Sequence, residues 1–243
     1  MRPDTWHLFV DPAILKFFGE GLLATIGLSI ASIALSFVFA LLFALGRLST
    51  RWWLRLPCIG YIEGIRALPV LLLIVYFNIK GSALFVPIFG ADFELPRFWA
   101  GVLGLSMYTS AVLAEIIRAG ILSLPRGQTE ASRALGLSYA QSMRSVILPQ
   151  ALRLMVPAMM AQLTTIIKDT SLVGTIGVFE LYRSAWIIFT QNFNPIEALF
   201  FIAVVYFVIC FTLSQLSRRL EVGRAPREVR IKIAELQLRD QVA

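Results

Sequence analysis

The sequence contains few of the residues from which catalytic and metal sites are usually built. It has one histidine, His7, and two cysteines, Cys58 and Cys210, which lie far apart. This set provides neither metal-site spacing nor a disulfide framework, and both cysteines are interpreted as apolar packing residues. Paired carboxylates and Ser/His or Cys/His sets at catalytic spacing are also missing. We therefore expect a protein that is not an enzyme.

A nucleotide-binding loop is absent as well. The lysines are Lys16, Lys80, Lys168 and Lys232, and none ends a G-x-x-x-x-G-K-[ST] pattern. The chain is therefore not expected to hydrolyse ATP by that route, and we predict no cofactor for it.

Charged residues make up only 15% of the chain, while 58% of its residues are hydrophobic and its mean hydropathy is +0.76. Soluble domains are typically about 45–50% apolar, so this composition excludes a soluble globule. No basic segment followed by a short apolar run and a cleavage site opens the sequence, so the first apolar run is expected to be retained. The composition predicts an all-α membrane protein.

About 20 apolar helical residues cross a bilayer, and the sequence contains five stretches of suitable character. Before them, residues 1–20 are predicted to form an external N-terminus and an entry helix, and after them residues 220–243 form a cytoplasmic tail. The predicted spans, within one transmembrane domain at 21–219, are 21–46, 67–80, 98–117, 156–189 and 196–217.

Three local patterns refine this outline. The fourth stretch is too long for one crossing and contains Lys-Asp-Thr-Ser at 168–171, so a helix break is expected there. The mixed aromatic and basic residues of 52–65 are typical of a helix at the membrane interface. Asn194, Pro195 and Glu197 form an N-terminal signal for the fifth span, with Asn194 as the cap.

The distribution of basic residues predicts the orientation, because lysine and arginine are enriched in cytoplasmic loops. One side receives four basic residues, namely Arg2, Lys16, Lys80 and Arg97. The other side receives fifteen, which are Arg47, Arg51, Arg55, Arg118, Arg126, Arg133, Arg144, Arg153, Arg218, Arg219, Arg224, Arg227, Arg230, Lys232 and Arg239. We expect an external N-terminus, a cytoplasmic C-terminus and a cytoplasmic loop at 121–153.

That loop has the pattern of two short helices joined at a glycine. Residues 127–135 favour a helix, Gly136 is suited to close it with a positive φ, and Ser138 with Gln141 form a capping box for a second helix. Pro149 is expected to terminate or bend the second helix. A DNA-binding helix-turn-helix has a similar outline, but apolar spans on both sides would hold the loop against the bilayer, so nucleic acid is not an expected partner. A purely structural connection remains the alternative.

The loop resembles the EAA loop of bacterial ABC importer permeases, and the chain is similar to the branch that takes up polar amino acids. Ser132 replaces the usual alanine and Val146 the usual isoleucine. The resemblance rests on Glu-Ala-Ser at 130–132, Gly136, Val-x-Leu-Pro at 146–149, Glu-Ile-Ile-Arg-Ala-Gly-Ile at 115–121, Gly-Gln-x-Glu at 127–130 and Lys-Asp-Thr-Ser-Leu at 168–172.

The resemblance implies a type I permease of a bacterial inner membrane. It implies three kinds of protein partner besides membrane lipid: two copies of an ABC ATPase that binds MgATP, a second permease chain that is identical or homologous, and a periplasmic or lipid-anchored amino-acid-binding protein. Under this hypothesis Ala131, Gly136 and Leu137 form the corner that contacts the ATPase, Ser132 belongs to the same motif, and Glu130 orders the loop through its own hydrogen bonds.

Charged side chains within a span are costly, about 2.5–3.5 kcal/mol each, and therefore face a partner or an aqueous path. Lys168 and Asp169, with Thr170 and Ser171, are candidates for the substrate pathway. The alternative is that Lys168 and Asp169 pair with each other, or with a neighbouring subunit, to hold the helix break.

Two more polar side chains, Asn78 and Tyr108, are weaker candidates for the pathway. They are joined by Thr109 and Ser110, although hydroxyls in membrane helices usually bond to their own backbone. Glu115 and Arg118 are interpreted as a structural ion pair.

The competing hypothesis is an ion-coupled transporter or channel that works without an ATPase. Five spans are few for such a protein, and no inverted repeat is visible. The presence of leucines at 72 and 73 after Arg-x-x-Pro at 66–69, where many relatives have a glutamine, loosely favours acidic amino acids as cargo. The amino acid itself is not specified by the sequence.

Overall fold

A computed structural model describes residues 6–192 and 195–222, and all regular structure in these ranges is helical. A short 3₁₀ helix, Trp6–Val10, precedes the first long helix. The α-helices are α1 (Pro12–Arg47), α2 (Trp52–Arg66), α3 (Val70–Phe89), α4 (Arg97–Leu122), α5 (Arg126–Ala134), α6 (Tyr139–Ser142), α7 (Leu148–Asp169), α8 (Leu181–Asn192) and α9 (Pro195–Val222).

Five helical stretches in the described chain are long and apolar enough to cross a membrane. They correspond to α1, α3, α4, the stretch Tyr139–Ile176 around α7, and Pro195–Arg219 within α9. The predicted all-α fold with five spans is therefore confirmed. The predicted interface segment also forms a helix, α2, and its indole groups at Trp52 and Trp53 are 70% and 52% exposed.

Four of the helices, α1, α3, α4 and α9, are longer than the predicted spans. α1 begins at Pro12, where Asp11 caps it by accepting a hydrogen bond from the Ala13 N–H at 2.8 Å, so the entry helix and first span are continuous. α3 reaches Phe89, because exposed Lys80 interrupts only the apolar character of the helix. Polarity marks where a span becomes costly, whereas a helix ends only where its backbone hydrogen bonding ends.

α4 is the central helix of the bundle. In its most apolar window 67% of the residues are buried, compared with 33% or less in the other four stretches. Small residues allow close approach: a Cβ on Gly104 would lie 2.7 Å from the Ile74 Cα of α3. Serines join α4 to α1, where Ser106 donates to the Ser32 carbonyl at 3.2 Å and Ser36 to the Ser106 carbonyl at 3.3 Å.

Two apolar clusters define the ends of the bundle. One cluster contains Ala44 of α1, Ile121 of α4 and Ala151 of α7, and we call this the loop end because α5 and α6 lie there. The opposite cluster contains Phe18 of α1 and Ala198 of α9, and we call it the far end. α1 therefore begins where α9 also begins, and the 28-residue α9 then runs roughly 42 Å towards the loop end.

The predicted break in the fourth span is confirmed. α7 ends at Asp169, a 3₁₀ segment follows at Thr170–Ile176, and Gly177 with a φ of 84° turns the chain before α8. A left-handed φ of this kind favours glycine.

The prediction that Pro149 terminates or bends the preceding helix was wrong about termination. α6 continues through a π-helical turn, Met143–Ile147, directly into α7, in which Pro149 occupies the first turn. Proline lacks an N–H, and its ring clashes with the carbonyl four residues earlier in a regular α-helix. The wider π turn just before it accommodates the ring without stopping the helix.

The fifth span begins as predicted with Pro195 at its first helical position and Glu197 in its first turn. The predicted cap, Asn194, lies outside the described residues, as does the tail from residue 223 onward. α9 continues past Arg219 to Val222.

Candidate functional site

The predicted corner at the loop end is a rigid turn between α5 and α6. Gly136 has a φ of 81°, and the N–H groups of Gly136 and Leu137 donate to the carbonyls of Arg133 and Ser132, at 3.0 and 3.3 Å. This is a Schellman motif, which satisfies the last carbonyls of α5. The predicted capping box is also present, because Ser138 and Gln141 bond to each other's backbone N–H.

Buried serines hold the two helices of the corner together. Ser132 on α5 and Ser142 on α6 are 3% and 1% exposed, and their hydroxyls form a short hydrogen bond. Ser132 also donates to the Thr129 carbonyl at 2.8 Å. Since both hydroxyls are removed from water, the Ser142 hydroxyl depends on Ser132 for its partner, while Ser132 also has the Thr129 carbonyl. Ser132 is therefore an internal brace of the corner, and its hydroxyl is hidden from the surface.

The exposed face of the corner differs from the prediction in two residues. Ala131 and Gly136 are exposed as expected, but Leu137 is half-buried, and Leu135 projects instead with 82% of its surface exposed. Glu130 is exposed and forms no side-chain hydrogen bond or ion pair within the described chain, so the loop is ordered by serine and backbone contacts. The Schellman turn explains why Leu135 projects instead of Leu137, since it reverses the chain between these two residues.

Charged side chains join three helices near the loop end. Arg47 of α1 contacts Glu63 of α2 at 3.0 Å and Glu115 of α4 at 3.2 Å, while Arg118 pairs with Glu115 one turn away. The interpretation of Glu115 and Arg118 as an ion pair is confirmed. The structure adds Arg47, whose side chain is only 17% exposed, as the link between α1 and α4.

The helix break places Lys168 and Asp169 at the end of α7. Lys168 is exposed, Asp169 is half-buried, and neither forms an ion pair within the described residues. The neighbouring hydroxyls bond to their own backbone: Thr170 donates to the Ile167 carbonyl and Ser171 to the Lys168 carbonyl, both at 2.7 Å. The hydroxyls therefore stabilise the break, while the two charged groups remain open to a partner or ligand.

The other pathway candidates lie apart from this break. Asn78 is exposed on α3, and Tyr108 is half-buried on α4 beside a cluster formed by Ile65, Leu73 and Ala111. Among the described side chains, neither Asn78 nor Tyr108 makes a hydrogen bond with Lys168 or Asp169. Thr109 and Ser110 are buried, and Ser110 bonds to the Met107 carbonyl and to Tyr61.

Glu180 is a buried acidic residue that was not predicted as a site from the sequence, because it lies inside the predicted fourth span. It is fully buried at the start of α8, and its carboxylate accepts from the N–H groups of Tyr182 and Arg183 at 2.9 and 2.6 Å. Thr25 of α1 accepts from the Leu181 N–H at 3.1 Å. The Ser184 N–H donates to the Glu180 carbonyl at 2.8 Å. The backbone N–H groups of the first four residues of α8, 181–184, therefore all have acceptors.

Glu180 also fixes α8 against its neighbours. Tyr206 of α9 donates to the Glu180 carboxylate at 3.4 Å, and a Cβ on Gly174 of the 3₁₀ segment would lie 2.6 Å from the same group. Gly21 of α1 also approaches closely, since its Cβ would lie 3.1 Å from the Glu180 carbonyl oxygen. A glutamate shortly after a glycine-rich break was the available sequence signal for this cap.

Residues 36–223 match the family model described as the binding-protein-dependent transport system inner membrane component. The chain belongs to this family. Membership confirms the predicted resemblance to ABC importer permeases and does not favour an ion-coupled transporter or channel. This permease is thus a multi-pass component of an inner membrane.

Relatives of the permease match it over most of its length. The glutamate transport system permease protein GluD of Corynebacterium glutamicum is 36% identical, over 97% of this chain and 83% of the relative. The probable glutamine ABC transporter permease protein GlnP of Bacillus subtilis is 39% identical, over 86% and 94% of the two chains. A crystal structure described as an amino acid ABC transporter with histidines matches with a TM-score of 0.76 and 34% identity, over 85% of this permease and 94% of that chain.

Removal of the buried carboxylate should destabilise the permease. We expect Glu180→Ala to lower stability by at least about 2 kcal/mol, because two helix N–H groups lose their acceptor inside the bundle, while Glu180→Gln keeps one acceptor and has a smaller effect. Melting in detergent can be followed with a thiol-reactive dye, since Cys210 is buried. Exposed Glu94→Ala is the control, and equal melting of all four proteins would contradict the assigned cap.

The serine brace should behave as a coupled pair. Ser132→Ala leaves the buried Ser142 hydroxyl without its partner, at a cost of about 1–3 kcal/mol, whereas Ser142→Ala leaves Ser132 bonded to the Thr129 carbonyl and should cost less. The double variant removes both hydroxyls, so its loss should be smaller than the sum of the two single losses. The same melting measurement gives the double-mutant cycle. Strictly additive losses would show that the hydroxyls do not depend on each other.

Proposed function

We propose that this chain is the permease subunit of an ATP-driven importer of polar amino acids, with its N-terminus outside and its C-terminus in the cytoplasm. The loop end is then cytoplasmic. The observation that carries the proposal is the corner itself: a capped helix pair exposes Leu135 at its tip and is continuous with a membrane span. An isolated apolar side chain on so rigid a projection is suited to insertion into a partner's groove.

The proposed partner at the corner is an ABC ATPase, present in two copies, which binds MgATP and supplies the energy that this chain cannot. Ala131, Leu135 and Gly136 provide the contact, with Tyr139 beside them at 55% exposure. Ser132 and Leu137 hold the corner's shape from inside. Glu130 is exposed and without a partner in the described chain, which leaves its carboxylate available to a basic group on the ATPase.

Movement of the ATPase would reach the substrate pathway along one helix. α6, the π turn and α7 form an uninterrupted helical segment from Tyr139 at the corner to Asp169 at the break. We propose that displacement of the corner tilts this segment and moves Lys168 and Asp169 relative to α3 and α4. Access then alternates between the two sides of the membrane, with Asn78 and Tyr108 as further candidates to line the route.

The same proposal covers the transported amino acid and the remaining protein partners. The relatives are named for glutamate and glutamine, amino acids with an ammonium and a carboxylate that suit Asp169 and Lys168. We propose that the cargo is a polar amino acid of this size, with an acidic one favoured.

Five spans are few to enclose a pathway, so the proposal includes a second permease chain. An amino-acid-binding protein docks at the far end, near residues 91–97.

The conformation of Gly136 should be essential for coupling. Gly136→Val places a β-branched residue at a φ of 81°, although its surroundings are open. The resulting strain of about 1–3 kcal/mol should distort the corner and reduce ATP-dependent uptake by roughly tenfold in proteoliposomes, while ATP hydrolysis continues.

Gly136→Asn separates backbone strain from bulk, because asparagine tolerates a positive φ better than valine. It should retain more uptake than Gly136→Val, and Gly127→Ala, also in open space on α5, should retain all of it. Coupled uptake at the normal rate by Gly136→Val would contradict the proposed role of the corner.

Asp169 should contribute to transport through its charge. Asp169→Asn keeps the shape of the side chain but weakens its attraction for a substrate ammonium, and hydrogen bonds to charged groups contribute about 1.5–3 kcal/mol. Uptake at low substrate concentration should therefore fall about tenfold or more without a change in melting. Exposed Glu20→Gln on α1 is the charge-matched control. Normal uptake by Asp169→Asn would assign Asp169 a purely structural role.

A further inference from the structure

A groove of about 620 Å³ lies at the loop end, beside the corner and apart from the candidates for the substrate pathway. Its walls come from the last turn of α1, the segment before α2, and the run from α6 into α7. The volume is typical of a small-molecule site. Leu45, Leu54, Met143 and Leu148 supply its apolar surface. An occupant therefore needs an apolar portion of substantial size.

The groove also carries an excess of positive charge. Arg51 and Arg144 both line it, no carboxylate does, and neither arginine forms an ion pair within the described part of the chain. Hydroxyls of Ser49, Thr50 and Tyr139 add hydrogen-bonding groups to the lining. Guanidinium groups bind phosphate oxygens well, so the polar portion of the occupant is expected to be anionic.

The position of the groove indicates where such an occupant comes from. Leu45 and Gly46 lie in the last turn of one apolar span, and Leu148 lies in the first turn of α7, so the groove is at the level where the apolar part of the bundle ends. Trp52 and Trp53 are exposed beside it, and the Arg51 guanidinium lies 5.8 Å from the Trp53 ring centroid. Exposed indole groups are enriched at the boundary between hydrocarbon and headgroups.

We propose that this groove is a binding site for an anionic phospholipid. The phosphate lies between Arg51 and Arg144, and an acyl chain lies along the leucines and Met143. The proposed contact residues Ala131, Leu135 and Gly136 do not line the groove, although Tyr139 lies both in its lining and beside those residues. A bound lipid would fill the space between the end of α1 and the helix that leads from the corner into α7. The proposal concerns binding and does not rest on the transport function.

Lipid retention by the purified full-length protein, with any subunits that copurify, tests the proposal. The protein is equilibrated in detergent with equal amounts of phosphatidylglycerol and phosphatidylcholine, and the bound lipids are counted by native mass spectrometry. We expect phosphatidylglycerol to be enriched. Arg51→Gln and Arg144→Gln should each reduce that enrichment roughly fivefold, because one basic residue near anionic lipid contributes about 1 kcal/mol.

Arg153→Gln is the matched control, because Arg153 is exposed on α7 near the same end but does not line the groove. It should retain the enrichment, and all variants should melt as the unaltered protein does. An equal loss in Arg153→Gln would overturn the proposal in favour of general surface charge, and so would the absence of any enrichment. Inorganic phosphate at the lipid's concentration should not displace the lipid, whereas displacement would overturn the role of the acyl chain.

Cross-linking identifies the occupant directly. The photoreactive amino acid p-benzoylphenylalanine in place of Ala140, which lines the groove, should yield a covalent phospholipid adduct in native membranes. A cross-link to another polypeptide instead of lipid would overturn the proposal and assign the groove to a protein partner.

Discussion

Water is absent from the middle of a bilayer, so each backbone N–H and C=O group there needs a partner within the protein. This constraint explains why the chain can break its fourth span only where side chains replace the lost helical bonds. Thr170 and Ser171 bond to the last carbonyl groups of α7, and Glu180 and Thr25 accept from the first N–H groups of α8. Side chains thus bond the helix ends on both sides of the break, and Lys168 and Asp169 can be presented there without unravelling the helix.

Small and polar side chains make the rest of the bundle compact. In lipid, helices associate through close packing and hydrogen bonds because the hydrophobic effect no longer favours burial against protein over lipid. Gly104 allows α4 to approach α3, and the serine contacts of Ser32, Ser36 and Ser106 join α4 to α1. At the loop end Arg47 adds a charged link to α4. α4 is therefore the fixed element against which α7 and the 3₁₀ segment pack.

Features that depend on a few consecutive residues were predictable from sequence. The positive φ at Gly136, the capping box of Ser138 and Gln141, and the break near 168–171 follow from local chemistry, and each is present. Helix ends were less predictable, because α1 and α3 continue through charged residues that point away from the bundle. The effect of Pro149 was also not predictable from neighbouring residues alone. Proline usually stops a helix, but here a π turn just before it accommodates the ring.

Features that depend on contacts between residues far apart in sequence could not be predicted. Ser132 and Ser142 meet only because α6 folds back on α5, and nothing in either position indicates that both hydroxyls are buried. Which of Leu135 and Leu137 projects depends on the direction that the chain takes after Gly136. Glu180 lies 155 residues from Thr25 in sequence, yet both cap the same helix. Their roles therefore became apparent only from the folded bundle.

The uninterrupted helix from Tyr139 to Asp169 has a geometric consequence of its own. Its 31 residues act as a lever roughly 45 Å long, so a tilt of about 5° at one end displaces the other by about 4 Å. A displacement of that size exceeds the length of a hydrogen bond. Under the proposed coupling, slight rotation at the loop end would thereby become a shift large enough to exchange contact partners at the break in the fourth span.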